Sequence, residues 1–131
     1  MIALDTNVLM RFLVGDDPAQ AAASRVLTGR CSGAAPALIC REVLVELVRV
    51  LERGHGFGRE ATATTLDGLL AAGDLAVKEI DAAARAAHLS REGEADFADL
   101  MIPAAAGRAG APFYTVDRTA AGHDGARRLG A

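Results

Sequence analysis

Four short apolar runs punctuate the chain, and helix-forming segments fill the intervals between them. The runs are residues 2–5 (IALD), 34–40 (AAPALIC), 75–80 (LAVKEI) and 112–117 (PFYTVD). Each is too short for a stable helix and reads as a buried strand. Thr6 or Asn7 can cap a first helix that Gly15 ends. Asp17 followed by Pro18 starts a second helix, which runs to Gly29. The segment 41–54 is a strong helix whose polar residues Glu42, Glu46, Arg49 and Arg53 fall on one stripe. Further helices are expected over 59–73, over 81–93 with Asp81 as cap, and over 96–110, where Pro103 should disturb the helix. A short helix and tail are expected after Asp117. Strands that alternate with helices throughout call for an α/β fold: a central, mostly parallel sheet of four to five strands flanked by helices.

The 131 residues fit a single domain, 1–131, with one core. Aromatic residues make up only 4% and Trp is absent, so that core should be built from Leu, Val, Ile and Ala. The net charge of −3 gives no whole-molecule support for nucleic-acid binding, although Lys78 is the only lysine among 14 basic residues and arginine forks suit phosphate. Cys31 and Cys40 form no CxxC and have no Cys/His cluster around them, which reads as two buried thiols in a reducing cytosol. No basic leader precedes the apolar start, and no run approaches the ~18 apolar residues of a membrane span. A cytoplasmic protein without membrane contact is the expectation.

Acidic residues recur at the ends of the predicted strands. Asp5 ends the first and Asp117 the last, and in an open parallel sheet those ends share the edge where ligands bind. Asp96 and Asp99 open a helix; Glu42 or Glu46 lies on the central polar stripe, and spacing alone does not choose between them. Asp5, Glu46, Asp99 and Asp117 can converge if the strand order suits. Carboxylates in one cleft repel each other and need a cation. The chain offers no lysine or histidine placed for this, whereas Mg²⁺ or Mn²⁺ takes oxygen ligands and bridges to phosphate.

Plainer roles compete at each position. Asp5, Asp96 and Asp117 could each cap a helix, and Asp99 could favour a helix dipole. Glu42 and Glu46 could pair with Arg49 and Arg53 along a solvated stripe. His55, His88 and His123 have no ligand spacing and read as structural or exposed. No GxGxxG, GxxxxGK[ST] or GxSxG occurs. Arg118, Arg127 and Arg128 could form a phosphate-contacting rim or a solvated tail.

Four segments, "MIALDTNVLMRFL", "VLVELVRVLERGHGF", "EADFADLMIPAAA" and "FYTVDRTAA", together resemble the signature segments of PIN-domain ribonucleases, in particular the VapC-type toxins of toxin–antitoxin pairs. The resemblance covers nearly the whole chain. It implies a PIN-like fold and a magnesium- or manganese-dependent acidic site. Asp5, Asp99 and Asp117 would hold the metal, and Glu46 would bind it or orient the attacking water. Thr6, Asn7, Asp96 and Thr115 match supporting positions. Arg49, His55 and Pro103 depart from the pattern.

The resemblance implies hydrolysis of RNA phosphodiester bonds by in-line attack of water, giving a 5′-phosphate and a 3′-hydroxyl. It also implies a VapB-type antitoxin and a homodimer. Arg11, Arg49 and Arg118 are candidate RNA contacts. Two competitors belong to other classes. One is a non-catalytic PIN-like module that binds RNA or protein. The other is a phosphoacceptor domain, which lacks here the lysine or D-x-D pair such chemistry needs.

Overall fold

A computed structural model describes residues 1–93, 95–118, 120–122 and 125–130. The chain divides into two compact units, Met1–Ile80 and Asp81–Ala131.

The first unit is built on three parallel strands in the order β1-β2-β3, with β1 at Ile2–Ala3, β2 at Ala37–Ile39 and β3 at Leu75–Val77. Ala3 lies beside Leu38, and Leu38 beside Ala76. The apolar runs extend beyond the strands because single bonds prolong the ladder: Leu4 N–H donates to the Leu38 carbonyl at 3.1 Å and Lys78 N–H to the Ile39 carbonyl at 3.0 Å. Past these bonds the chain turns. Glu79 has φ +53°, a left-handed conformation uncommon outside glycine, and it bends the chain out of β3.

Four helices complete this unit: α1 Thr6–Leu13, α2 Pro18–Thr28, α3 Arg41–Arg49 and α4 Arg59–Ala71. Asp17 caps α2 as expected, its carboxylate accepting the Gln20 N–H at 3.1 Å with Pro18 in the first turn. The cap of α1 is Asp5, the competing reading of that acid, rather than Thr6 or Asn7. Thr6 is the first helical residue and is buried, 2% exposed, so its hydroxyl is withdrawn from the capping position. Beyond Arg49, α3 widens into a π-helical turn over Val50–Gly54. Helix α1 packs against α2 and α3. Leu9, Ile39, Leu44, Leu47, Leu51 and Leu66 are each at most 1% exposed. Burying each such side chain contributes about 1.5–3 kcal/mol, which makes this leucine cluster the main support of the first unit.

The second unit takes in α5 (Ile80–Arg91) from Asp81 onward, α6 (Phe97–Arg108) and a two-stranded parallel sheet of β4 (Phe113–Thr115) and β5 (Ala126–Arg128), with a 3-10 turn at Ala120–Gly122 between the strands. Asp81 is not a cap: α5 already includes Ile80, because the turn at Glu79 supplies the break before it. Pro103 does not interrupt α6. It lacks only the N–H that would reach the Asp99 carbonyl four residues back, and the residues after it are alanines. Phe97 and Met101 are 1% and 0% exposed, so this unit buries larger side chains than a Leu/Val/Ile/Ala core implies.

The segment expected to be a helix and tail contains β5. Gly125, with φ +76°, turns the chain, its carbonyl accepts the Phe113 N–H at 3.1 Å, and Ala126 then pairs with Phe113. Among the described residues the parallel strands of this α/β fold thus form ladders of three and two. Among the described residues no helix is long and apolar enough to cross a membrane.

Candidate acidic site

Asp5 stands one residue past β1, after Leu4. Leu4 is buried and bonded to β2, so the chain is held rigidly up to the residue before the acid. Asp5 has extended backbone (φ −82°, ψ 162°), and its Oδ1 accepts the Thr6 N–H at 2.7 Å. Its main-chain carbonyl accepts from Val8 at 3.1 Å and Leu9 at 3.3 Å. The residue is exposed, and Oδ2 accepts no hydrogen bond among the described residues. One residue therefore meets both readings: one carboxylate oxygen caps the helix and the other remains available to a cation. Asn7 is exposed in the first turn of α1.

Glu46 is carried by α3, which starts directly after β2. Leu44, Leu47 and Val48 bury the opposite side of the helix, and Glu46 is exposed. The stripe pairing weighed for Glu42 and Glu46 is not formed: neither they nor Arg49 and Arg53 make an ion pair among the described residues. Instead Arg41, the first residue of α3, donates Nη1–H to Glu79 Oε2 at 2.8 Å, with both side chains at least four-fifths buried. This pair ties the start of the Glu46 helix to the turn after β3. Its partners are 38 residues apart, and neither stands out in the sequence.

In the second unit Asp96 is the N-cap of α6 by backbone (φ −70°, ψ 152°), but its side chain makes no capping bond. The cap proposed from the D-x-x-D spacing is thus positional only. Asp99 lies in the first turn and is exposed. Asp117 follows β4. Its N–H donates to Thr115 Oγ1 at 3.0 Å, and its Oδ1 accepts the Ala120 N–H at 3.1 Å. Asp117 therefore caps the 3-10 turn while it stands at a strand end.

Asp5 and Glu46 belong to the first unit, Asp99 and Asp117 to the second. Within either unit, the described residues hold no group of three or more His, Cys, Asp or Glu that could bind a metal. The donor chemistry itself fits Mg²⁺ or Mn²⁺: the four candidates offer carboxylate oxygens only, and Asp5, Glu46 and Asp99 make no ion pair among the described residues.

Of the arginines expected near RNA, Arg49 and Arg118 are exposed. Arg11 is engaged, with Nη1 donating to Asp16 Oδ1 and Nε to Gln20 Oε1, both at 2.6 Å. That guanidinium holds the Asp16 carboxyl below its ordinary value near 3.8, chiefly through the hydrogen bond. Cys31 and Cys40 are free and half-buried. His55 and His88 are exposed, and His123 lies outside the described residues.

The sequence matches the PIN domain family over residues 2–124, a span that contains Asp5, Glu46, Asp99 and Asp117. No curated protein matches the chain.

Proposed function

The chain belongs to the PIN domain family, whose members are generally nucleases that use divalent metal ions, and on that footing we propose that it is a Mg²⁺- or Mn²⁺-dependent endoribonuclease of the VapC toxin type, acting as a single domain over residues 1–131. The observation that carries this reading is the pair of strand-end acids. Asp5 and Asp117 each stand one residue past the end of a parallel strand, and each uses Oδ1 to accept a backbone N–H. Local backbone thus fixes both carboxylates before any substrate arrives.

Asp5, Asp99 and Asp117 would hold the ion. Once bound, such an ion neutralises charge on the phosphodiester and makes water more acidic. Glu46 would orient the attacking water, and its exposed carboxylate, without an ion pair among the described residues, suits that work. Arg49 and Arg118 would contact RNA phosphates; Arg11 would first have to leave Asp16 and Gln20. The substrate is single-stranded or looped RNA, since in-line attack needs an accessible, splayed backbone. A VapB-type antitoxin and a homodimer complete the proposal, with the pair residing in the cytoplasm.

The test is cleavage of a mixed RNA pool by the purified chain in Mg²⁺, Mn²⁺ or EDTA. Fragments that require metal and carry 5′-phosphates support the reading. An intact pool in all three, with the protein folded, counts against it. Light scattering at micromolar concentration tests the dimer, and a monomer there removes that part.

A further inference from the structure

Strand β5 places a basic residue beside the chain's only tyrosine. In the parallel register of β4 and β5, Tyr114 lies beside Arg127 and Thr115 beside Arg128. Paired residues of a ladder project from the same face, and successive residues alternate between faces. Tyr114 and Arg127 therefore share one face of this two-stranded sheet. That face is open: Tyr114 is 56% exposed and Arg127 is exposed; of the alternate positions Phe113, Thr115 and Ala126 are half-buried and Arg128 is exposed. Exposed Val116 and Leu129 continue the same two chain segments. Arg118 is exposed just past Asp117.

We infer that the Tyr114–Arg127 face of the β4–β5 sheet is a binding platform for single-stranded RNA, with the tyrosine ring stacking on a base and Arg127 meeting the adjoining phosphate. The inference rests on the ribonuclease reading and specifies how its substrate is held. An aromatic ring on an open strand offers a flat surface that any base can cover. Neighbouring strands are about 4.8 Å apart, so a guanidinium on the next strand reaches the backbone of a nucleotide stacked on that ring. Charge selects this occupant. Arg127 lies on the platform beside the ring, and Arg118 is exposed just past Asp117, so a guanidinium stands where the phosphate of a stacked nucleotide would lie.

The absence of Trp and of any other Tyr makes the ring its own probe, because intrinsic tyrosine emission comes from Tyr114 alone. Binding of a short fluorescein-labelled single-stranded oligoribonucleotide would be followed by anisotropy in EDTA, where no cleavage is expected. The platform contains no candidate metal ligand, so its contribution persists there. Tyr114→Leu should weaken binding about tenfold, while Tyr114→Phe, which keeps the stacking surface, should bind like the parent. Arg127→Gln should lower the salt slope of log affinity by about one. In the parent, unlabelled RNA should quench the tyrosine emission in a saturable way. Unchanged affinity in Tyr114→Leu, or unquenched emission at saturation, overturns the platform; if the parent still cleaves RNA, the ribonuclease reading stands without it. A parent that neither binds nor cleaves RNA overturns both. A shift of Tyr114→Leu from dimer to monomer in sedimentation, with RNA affinity intact, would assign the face to a second copy of the chain and overturn the inference.

Discussion

The Thr115 hydroxyl accepts the Asp117 N–H at 3.0 Å, so the residue that ends β4 also fixes the turn that carries the acid. Asp117 Oδ1 then accepts the Ala120 N–H at 3.1 Å, and the carboxylate is held from both sides. Thr115→Val keeps the branched shape a strand favours and removes the acceptor. RNA cleavage should fall roughly tenfold through misplacement of the acid, and Thr115→Ser should restore most of it. Equal cleavage rates for the valine variant and the parent would leave the hydroxyl without this role.

Asp99→Asn should abolish metal-dependent cleavage, a loss of at least roughly a hundredfold, with an unchanged circular dichroism spectrum. Asp99 is exposed in the first turn of α6, so the fold does not depend on its charge. Unaltered cleavage would remove Asp99 from the site.

Arg41→Met should destabilise the chain by about 1–3 kcal/mol in urea unfolding, because Glu79 is left mostly buried without this partner. A change near zero would mean that the pair contributes nothing net to the first unit.

Thr62 is 4% exposed, and its hydroxyl has no hydrogen-bond partner among the described residues. Thr62→Val replaces that hydroxyl with a methyl group of similar size and should raise stability by about 1 kcal/mol, seen as a melting temperature a few degrees higher. A lower melting temperature would imply a partner for the hydroxyl.

The Arg11 hydrogen bond lowers the Asp16 pKa in the folded state below its ordinary value near 3.8. Stability from this pair is therefore fully present above that value and is lost as pH falls through the lower, folded one. The group is solvent-exposed, so the effect is small and screened by salt. Asp16→Asn should flatten only the acid end of the stability–pH curve, below about pH 4. A difference that first appears near neutral pH would contradict this assignment.

Much of this architecture is written in local pattern. Asp17–Pro18 marks the start of α2, and the apolar runs locate four of the five strands, because capping and strand burial act over a few residues. β5 escaped that reading: Ala-Arg-Arg carries no apolar signal and becomes a strand only by pairing with β4. Asp81 looked like a cap until the backbone of Glu79 supplied the break. In the candidate site, Asp5 and Asp117 were legible because strand ends are. Glu42 and Glu46 were not separable by spacing, and both are exposed on α3, so the choice of Glu46 rests on the family's motif.

The decisive variant is Asp5→Asn. Asparagine caps helices as well as aspartate does, so its side-chain oxygen can still accept the Thr6 N–H now held at 2.7 Å, and only the charge is lost. RNA cleavage would be measured with Mg²⁺ and Mn²⁺ alongside thermal unfolding. The expected result is an unchanged melting temperature with metal-dependent cleavage gone. Parent-like cleavage from a folded Asp5→Asn chain would contradict the acidic site at its first residue.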